Sequence, residues 1–393
     1  MKKILIVCRA YFPDVMGGGE LSTKSLAENL KKKGYDVDVL AISDKDEFDI
    51  VDNISVHRMK FYNIYWSYDA TEKKKLEKIV WHALDSNNLN GIKRIEAMLE
   101  RIKPDVLISS TIEDISSIIW KIAKKKKIKV IHVLRSYSLL CINANMYKRD
   151  NCKTQCISCK TVSTLKKMNS QYVDAVVGIS KYILEKHTDL GYFKKSQKKV
   201  IYNICSDVGF IPDITKNANS LKLKNNRQIV IGYLGRVHQT KGIDIIFDAM
   251  TRLDDEIKDR LLFKVAGSGD KIYLSELAKL AESKMVDTQF LGSINQYDFL
   301  KQIDILIVPS KWQEPFGRVI VESMLHGVPV LVSNKGGMPE LLENNEGFIF
   351  TDSISLTKKM NKFIHGEIEF NYDIVRFLPA EIVNQWYDLI EGL

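Results

Sequence analysis

Short apolar runs alternate along the chain with longer stretches whose apolar positions recur at helical spacing. "KKILIVCRA" is followed by the amphipathic "GELSTKSLAENLKKKG", which stops at a glycine, and then by "YDVDVLAIS". An unbroken apolar run predicts a buried strand, and a 3.6-residue period ending at glycine predicts a helix with its stop signal. The pattern continues through "NGIKRIEAMLERIK", "PDVLISS", "DISSIIWKIAKKKK", "IKVIHVLR", "YVDAVVGIS", "SKYILEKHTDLG" and "KKVIYNIC". Alternation of this kind builds a parallel sheet covered by helices.

Near residues 206–226 the periodicity gives way to turn residues and charges, "SDVGFIPDITKNANSLKLKNNRQ", which predicts an interdomain linker. The alternation then restarts at "IVIGYLGRV" and runs through "GIDIIFDAMTRL", "LLFKVAG", "DILIVPS", "GRVIVESMLHG" and "VPVLVS". The expected fold class is therefore α/β, with two Rossmann-like, doubly wound domains at 1–205 and 206–375. The segment 376–393, with "AEIVNQWYDLIEGL", is a final amphipathic helix carrying Trp386 and Tyr387. Ligands of open parallel sheets bind beyond the carboxyl ends of the strands, so residues just after strands are the ones to examine.

Length and composition agree: 393 residues exceed one ordinary core, and 45% hydrophobic content with a mean hydropathy of −0.14 describes a globular protein. No apolar run approaches the roughly 18–20 residues of a membrane span. The start reads as a buried strand rather than a signal peptide, since Arg9 interrupts it and no small-residue cleavage site follows. A cytoplasmic protein is expected. Charge is uneven: residues 1–200 hold 37 Lys and Arg against 23 Asp and Glu, whereas residues 201–393 hold 21 against 26. The basic half predicts an anionic partner, and an anionic membrane surface fits better than nucleic acid, with peripheral attachment to the inner face of the cell membrane. Residues 61–82 mix aromatics with lysines as a peripheral membrane segment does; a buried helix with solvated lysines accounts for the stretch equally.

Cys8 and Cys205 sit in apolar or strand-edge contexts and read as small core residues. Cys141, Cys152, Cys156 and Cys159 cluster in "CINANMYKRDNCKTQCISCK". Four grouped thiols in a reducing compartment suggest a structural zinc site, with reduced loop thiols as the alternative.

Three loops carry candidate chemistry. "GGGE" at 17–20 opens the first helix, and Gly18 and Gly19 let backbone approach a phosphate-bearing ligand at a helix N-terminus. "GRVHQTKG" places Arg236 and Lys241 after a strand, spaced to hold two oxygens of a diphosphate. "AGSGD" puts Gly269 at the same rim. "EPFGRVIVE" sets Glu314 and Glu322 eight positions apart around a Pro-Phe-Gly turn and a helix start. The helix macrodipole favours acidic groups near such a start, but it does not account for the Arg–Lys loop or for the diglycine at 336–337.

Together "GGGE", "YLGRV…KG", "VAGSGD", "FLGSI", "VPS…EPFGRVIVESMLHGVPVLVS" and "GGMPELL" resemble, in content and order, the retaining glycosyltransferases of family 4 with the GT-B fold. The resemblance spans nearly the whole chain and is strongest at 229–350. It implies two Rossmann-like domains facing a cleft, a nucleotide-sugar donor (UDP- or GDP-sugar) held mainly by the second, a glycan or lipid-linked acceptor on the first, and a final helix crossing back. It implies that Glu314 contacts the donor sugar, that Glu322 binds the ribose, and that backbone N–H groups of Phe316 and Gly317 face the sugar. Arg236 and Lys241 would hold the diphosphate, so that no metal cofactor is needed for catalysis. The family's His-Asp pair, six residues before a Cys, falls here on Arg135 and Ser136. Arg135 stays protonated and cannot serve as a base, but it can contact a phosphate or, on the acceptor side, an anionic acceptor. His132 reads as a core residue. A nucleotide-sugar epimerase on the same fold and a catalytically degenerate nucleotide-sugar-binding protein are the rival readings.

Overall fold

The computed structural model describes residues 1–15, 17–69, 73–206 and 227–393, so most of the expected linker at 206–226 lies outside the described residues. Packing divides the chain into two units, Met1–Val208 with Arg376–Leu393, and Gly209–Val375. In the first unit the strands are β1 (Lys3–Cys8), β2 (Asp36–Ser43), β3 (Glu47–Val51), β4 (Ile54–Lys60), β5 (Val106–Ser109), β6 (Lys129–Leu134), β7 (Ala175–Gly178) and β8 (Gln197–Val200). They form one sheet in the order β3-β4-β2-β1-β5-β6-β7-β8. β1 sits at its centre with Ile4, Leu5, Ile6 and Val7 fully buried, because helices cover both faces. Each such aliphatic side chain contributes about 1.5–3 kcal/mol of burial.

The alternation pattern missed two strands of this sheet, β3 and β4. β3 pairs antiparallel with β4, while the other neighbours are parallel. The hairpin turns through Asp52 and Asn53, at φ 48° and 64°, a two-residue left-handed turn that Asp and Asn tolerate. β3 is an exposed edge strand in which charged residues separate the apolar ones, so no continuous apolar run marks it.

The helix Pro379–Glu391 packs on the first unit, far from its own place in the sequence. Lys2 Nζ donates to the Ile390 carbonyl at 2.7 Å, Tyr35 donates to Glu391 at 2.8 Å, and Lys33 donates to Asn384 at 2.8 Å. Trp386 is buried there with Ile382, Leu389 and Ile390.

In the second unit β9 (Ile229–Leu234), β10 (Leu261–Ala266), β11 (Thr288–Gly292), β12 (Ile305–Val308), β13 (Val330–Ser333) and β14 (Ile349–Phe350) form a parallel sheet ordered β11-β10-β9-β12-β13-β14. The chain builds outward from β9 through β10 to β11, then returns to the other side of β9 with β12. The boundary between β9 and β12 is the topological switch point, where loops leaving neighbouring strands part and open a crevice. No helix among the described residues is long and apolar enough to cross a membrane.

Candidate functional site

The loops after β9 and β12 meet at that switch point. The Thr240 carbonyl accepts from the backbone N–H groups of Lys311 (2.9 Å) and Trp312 (3.2 Å), which stitches the two loops together. Across this seam the Lys241 ammonium forms an ion pair with Glu314 Oε1, and the Ser310 hydroxyl donates to the same oxygen at 3.3 Å. The ammonium also lies 5.4 Å from the centre of the Trp312 ring, a cation–π distance. Glu314 is largely buried and Lys241 half-buried, so their charges interact in a medium less polar than water. A second ion pair, Lys311 to Asp244 at 2.6 Å, braces the outer side of the seam.

The third loop of the rim, after β13, is held against the second by glycine. Gly337 donates its backbone N–H to the Glu314 carbonyl at 2.8 Å. Gly336 stands at φ +61°, and a Cβ there would sit 2.1 Å from the Glu314 carbonyl oxygen. Only glycine allows that approach, so the "GG" of the sequence positions Glu314 from behind. On the opposite flank Gly269 forms an isolated parallel bridge with Val237, and its Cβ would fall 2.0 Å from the Val237 carbonyl. The loop after β10 is thereby tied to the loop that carries Arg236.

Arg236 is exposed at this rim, with its carbonyl accepting the Tyr233 hydroxyl at 2.7 Å. His238 lies between the two cations; partial burial, then Arg236 and Lys241, lowers its pKa and favours the neutral imidazole. Gly317, at φ +105°, caps the helix Arg318–Leu325, while the Phe316 side chain is buried. Glu322 lies in that helix, nearly inaccessible, with its carboxylate 3.0 Å from Arg318 one turn earlier. Lys241 and Glu314 are thus brought together, Arg236 and Gly269 share their rim, and Glu322 is paired within its own helix. Ser310, Thr240 and Trp312 were not singled out from the sequence, since a hydroxyl or an indole in a loop carries no spacing signal.

Gly18 and Gly19 of the first unit open the helix Gly18–Lys33, and a Cβ on Gly19 would meet nothing within 4 Å. Gly19, Thr23, Ser110 and Arg135 form a hydrogen-bonded chain: Thr23 Oγ1 lies 2.8 Å from the Gly19 carbonyl and 2.6 Å from Ser110 Oγ, which accepts from Arg135 Nε at 2.7 Å. Arg135 also bonds Asn203 through Nη1. These bonds join the carboxyl ends of β5 and β6 to the start of the first helix. His132 is a core residue: Nδ1 is 2.9 Å from Ser109 Oγ, the ring stacks on Phe193, and burial lowers its pKa to about 3.

The four clustered cysteines are free thiols. The zinc site expected of Cys141, Cys152, Cys156 and Cys159 is not supported: among the described residues no group of three or more His, Cys, Asp or Glu is arranged to hold a metal ion. The Cys141 thiol lies 4.0 Å from Asn145 Oδ1 and the Cys156 sulfur 3.3 Å from the Ser158 hydroxyl.

A buried polar cluster in the first unit escaped the sequence. Lys166 Nζ lies 2.9 Å from Asp85 Oδ2, both side chains almost wholly inaccessible, and Asp85 Oδ1 accepts the Asp114 backbone N–H at 2.8 Å. Burial, with the neighbouring Asp85 charge, raises the Asp114 carboxyl to about 7. Partners 81 residues apart leave no trace in a linear pattern.

Residues 16–205 match the family described as Glycosyltransferase Family 4, and residues 213–375 match Glycosyl transferases group 1. Across 89% of this chain and 90% of the relative, the sequence is 36% identical to an uncharacterised 42.6 kDa protein in the cps region of Klebsiella pneumoniae. The chain belongs to the GT-B glycosyltransferases. An uncharacterised glycosyltransferase of Methanocaldococcus jannaschii is 24% identical over 87% of this glycosyltransferase and 83% of its own length. In fold it superposes on Anabaena HepE in complex with UDP, with TM-score 0.71, 19% identity and full coverage of both chains. The lipopolysaccharide outer core galactosyltransferase WaaB gives TM-score 0.69 at 16% identity, covering 100% of this chain and 99% of that one.

Proposed function

We propose that this glycosyltransferase is a retaining enzyme that moves a sugar from a UDP- or GDP-sugar to a hydroxyl of a glycan or lipid-linked glycan, in the synthesis of a cell-surface polysaccharide. The reading rests chiefly on the meeting of Lys241 and Glu314 at the switch point of the second sheet, a cation for phosphate beside a carboxylate for sugar hydroxyls. The cps-region relative and the lipopolysaccharide galactosyltransferase support the polysaccharide, and the HepE complexes with UDP and UDP-glucose support the donor class.

In this reading Arg236 and Lys241 bind the diphosphate and balance the charge that develops on it as the glycosidic bond breaks. The two cations supply that charge stabilisation without a metal ion. Glu314 accepts from donor-sugar hydroxyls, and Glu322 accepts from the ribose hydroxyls. The backbone of Phe316 and Gly317 lies along the sugar, Gly269 borders the nucleoside, and Gly18 and Gly19 leave room for the reacting groups. The acceptor hydroxyl attacks the anomeric carbon on the face from which the diphosphate departs. A phosphate oxygen of the leaving group takes its proton, so no side-chain base is required. Arg135, oriented by Ser110 and Asn203, contacts an anionic acceptor.

The excess of basic residues in the first 200 positions attaches the enzyme to the cytoplasmic face of an anionic membrane, at about 1 kcal/mol per basic residue near the surface. The helix Lys75–Ser86 supports this, because Leu76, Ile79 and Val80 are 76%, 55% and 49% exposed beside Lys78 while Trp81 turns inward. Assays of donor consumption with and without glycan acceptors, in EDTA, test the reading. Transfer that requires acceptor and survives EDTA is the expected result. An altered sugar nucleotide without acceptor would identify an epimerase, and binding without turnover would identify a degenerate site.

A further inference from the structure

The cysteine loop carries chemistry that sugar transfer does not use. Cys156 is the N-cap of the helix Ile157–Asn169, and Cys159 is its third residue. At a helix start, positions three apart bring Cβ atoms to about 5–6 Å, and small backbone adjustments then reach disulfide geometry. Cys156 is partly exposed whereas Cys159 is buried. Both line a cavity of about 120 Å³, together with Cys141 and Cys152. The Ser158 hydroxyl is 3.3 Å from the Cys156 sulfur.

We infer that Cys156 and Cys159 form a redox-active dithiol that exchanges with low-molecular-weight disulfides, Cys156 being the attacking sulfur and Cys159 the resolving one. The two thiols differ as the roles require. The Ser158 hydroxyl, then the Cys159 backbone N–H and thiol, lower Cys156 to about 7, and the Lys148 charge acts in the same direction. Burial is the main cause that raises Cys159, so it stays protonated until its turn. In the first step the Cys156 thiolate attacks R–S–S–R, forming Cys156–S–S–R and releasing one RS⁻. In the second, Cys159 loses its proton and attacks the Cys156 sulfur, forming Cys156–S–S–Cys159 and expelling the second RS⁻. Two electrons pass from the cysteines to the small disulfide, and the two released thiolates take up the protons of the two cysteines.

The test uses the full chain with glutathione disulfide, read by mass spectrometry after thiol alkylation, and does not depend on any glycosyltransferase assay. At pH 7 Cys156 should alkylate about fivefold faster than Cys152, as its greater thiolate fraction outweighs its lower intrinsic nucleophilicity. The wild-type protein should lose two alkylatable thiols within the 156–159 peptide and carry no lasting adduct. Cys159→Ser should accumulate one glutathione per chain on Cys156, because nothing resolves it. Cys156→Ser should form neither adduct nor disulfide in that peptide. Absence of the adduct in Cys159→Ser, or its persistence in Cys156→Ser, overturns the inference. So does one zinc per chain by elemental analysis with all four thiols protected until a chelator is added.

Discussion

Lys241 and Glu314 stand 73 residues apart in sequence and form an ion pair where the loop after β9 meets the loop after β12. Neither loop alone is a site. Their contact sets an ammonium against a carboxylate; Ser310 donates to that carboxylate, while Gly336 packs against the Glu314 backbone carbonyl.

The two glutamates are expected to separate kinetically. If Glu314 contacts the reacting sugar as proposed, Glu314→Ala should lower kcat with little change in affinity for the free nucleoside diphosphate. Glu322→Ala should weaken binding of both the sugar nucleotide and the nucleoside diphosphate. Calorimetric titration with UDP and GDP alongside steady-state kinetics distinguishes them; equal, mild effects on kcat with unaltered nucleotide binding would remove both assignments.

Gly19 and Gly336 should respond in opposite ways to the same change. Alanine at Gly19 has open space within its helix, so the melting temperature should rise, by about 0.5–1 kcal/mol of stability, while transfer activity falls if a ligand occupies that space. Alanine at Gly336 must displace the Glu314 backbone from a left-handed position, costing at least about 1–3 kcal/mol and most of the activity. Thermal melts and initial rates on both variants check the pair. Unchanged activity in Gly19→Ala would detach that glycine from the ligand.

Lys166→Met should be among the most damaging single changes in the first unit. It leaves the Asp85 carboxylate buried without its partner, a loss of about 3–5 kcal/mol. Asp85→Asn combined with Lys166→Met should recover part of that loss in urea unfolding. Additive damage in the double variant would show that the two groups are not coupled.

Asp114 should make stability depend on pH with a definite sign. Its folded pKa is about 7, above the unfolded value of 3.8, so the folded chain holds this proton where the unfolded chain has released it. The contribution is complete below a pH of about 4 and is lost as pH rises through about 7, at no more than about 1.4 kcal/mol per pH unit. Asp114→Asn stays neutral throughout, so its melting temperature relative to the parent should be higher at pH 8 than at pH 5. The histidines titrate in both proteins and cancel in the comparison. A difference independent of pH would contradict the assigned shift.

Periodicity alone determined the parallel pairing that dominates both sheets and most of their strands, because an element buried on one or both faces must repeat its apolar positions at the spacing of its own backbone. It also placed the rim loops, since glycines, Arg236, Lys241 and Glu314 follow apolar runs directly, and it set His132 within a core strand. Strands β3 and β4 escaped, because polar residues interrupt their apolar positions and only the Asp52–Asn53 turn marks the hairpin. Tertiary structure alone decided the pairings. Lys241 met Glu314, and Lys166 met Asp85, because strand order and loop stitching brought them within contact, and a linear pattern carries no information about which distant side chains share a rim. The same holds for the cysteines: their clustering was visible in sequence, but that all four line one cavity, with Cys156 partly exposed and Cys159 buried, depends on where the helix Ile157–Asn169 begins and what packs against it.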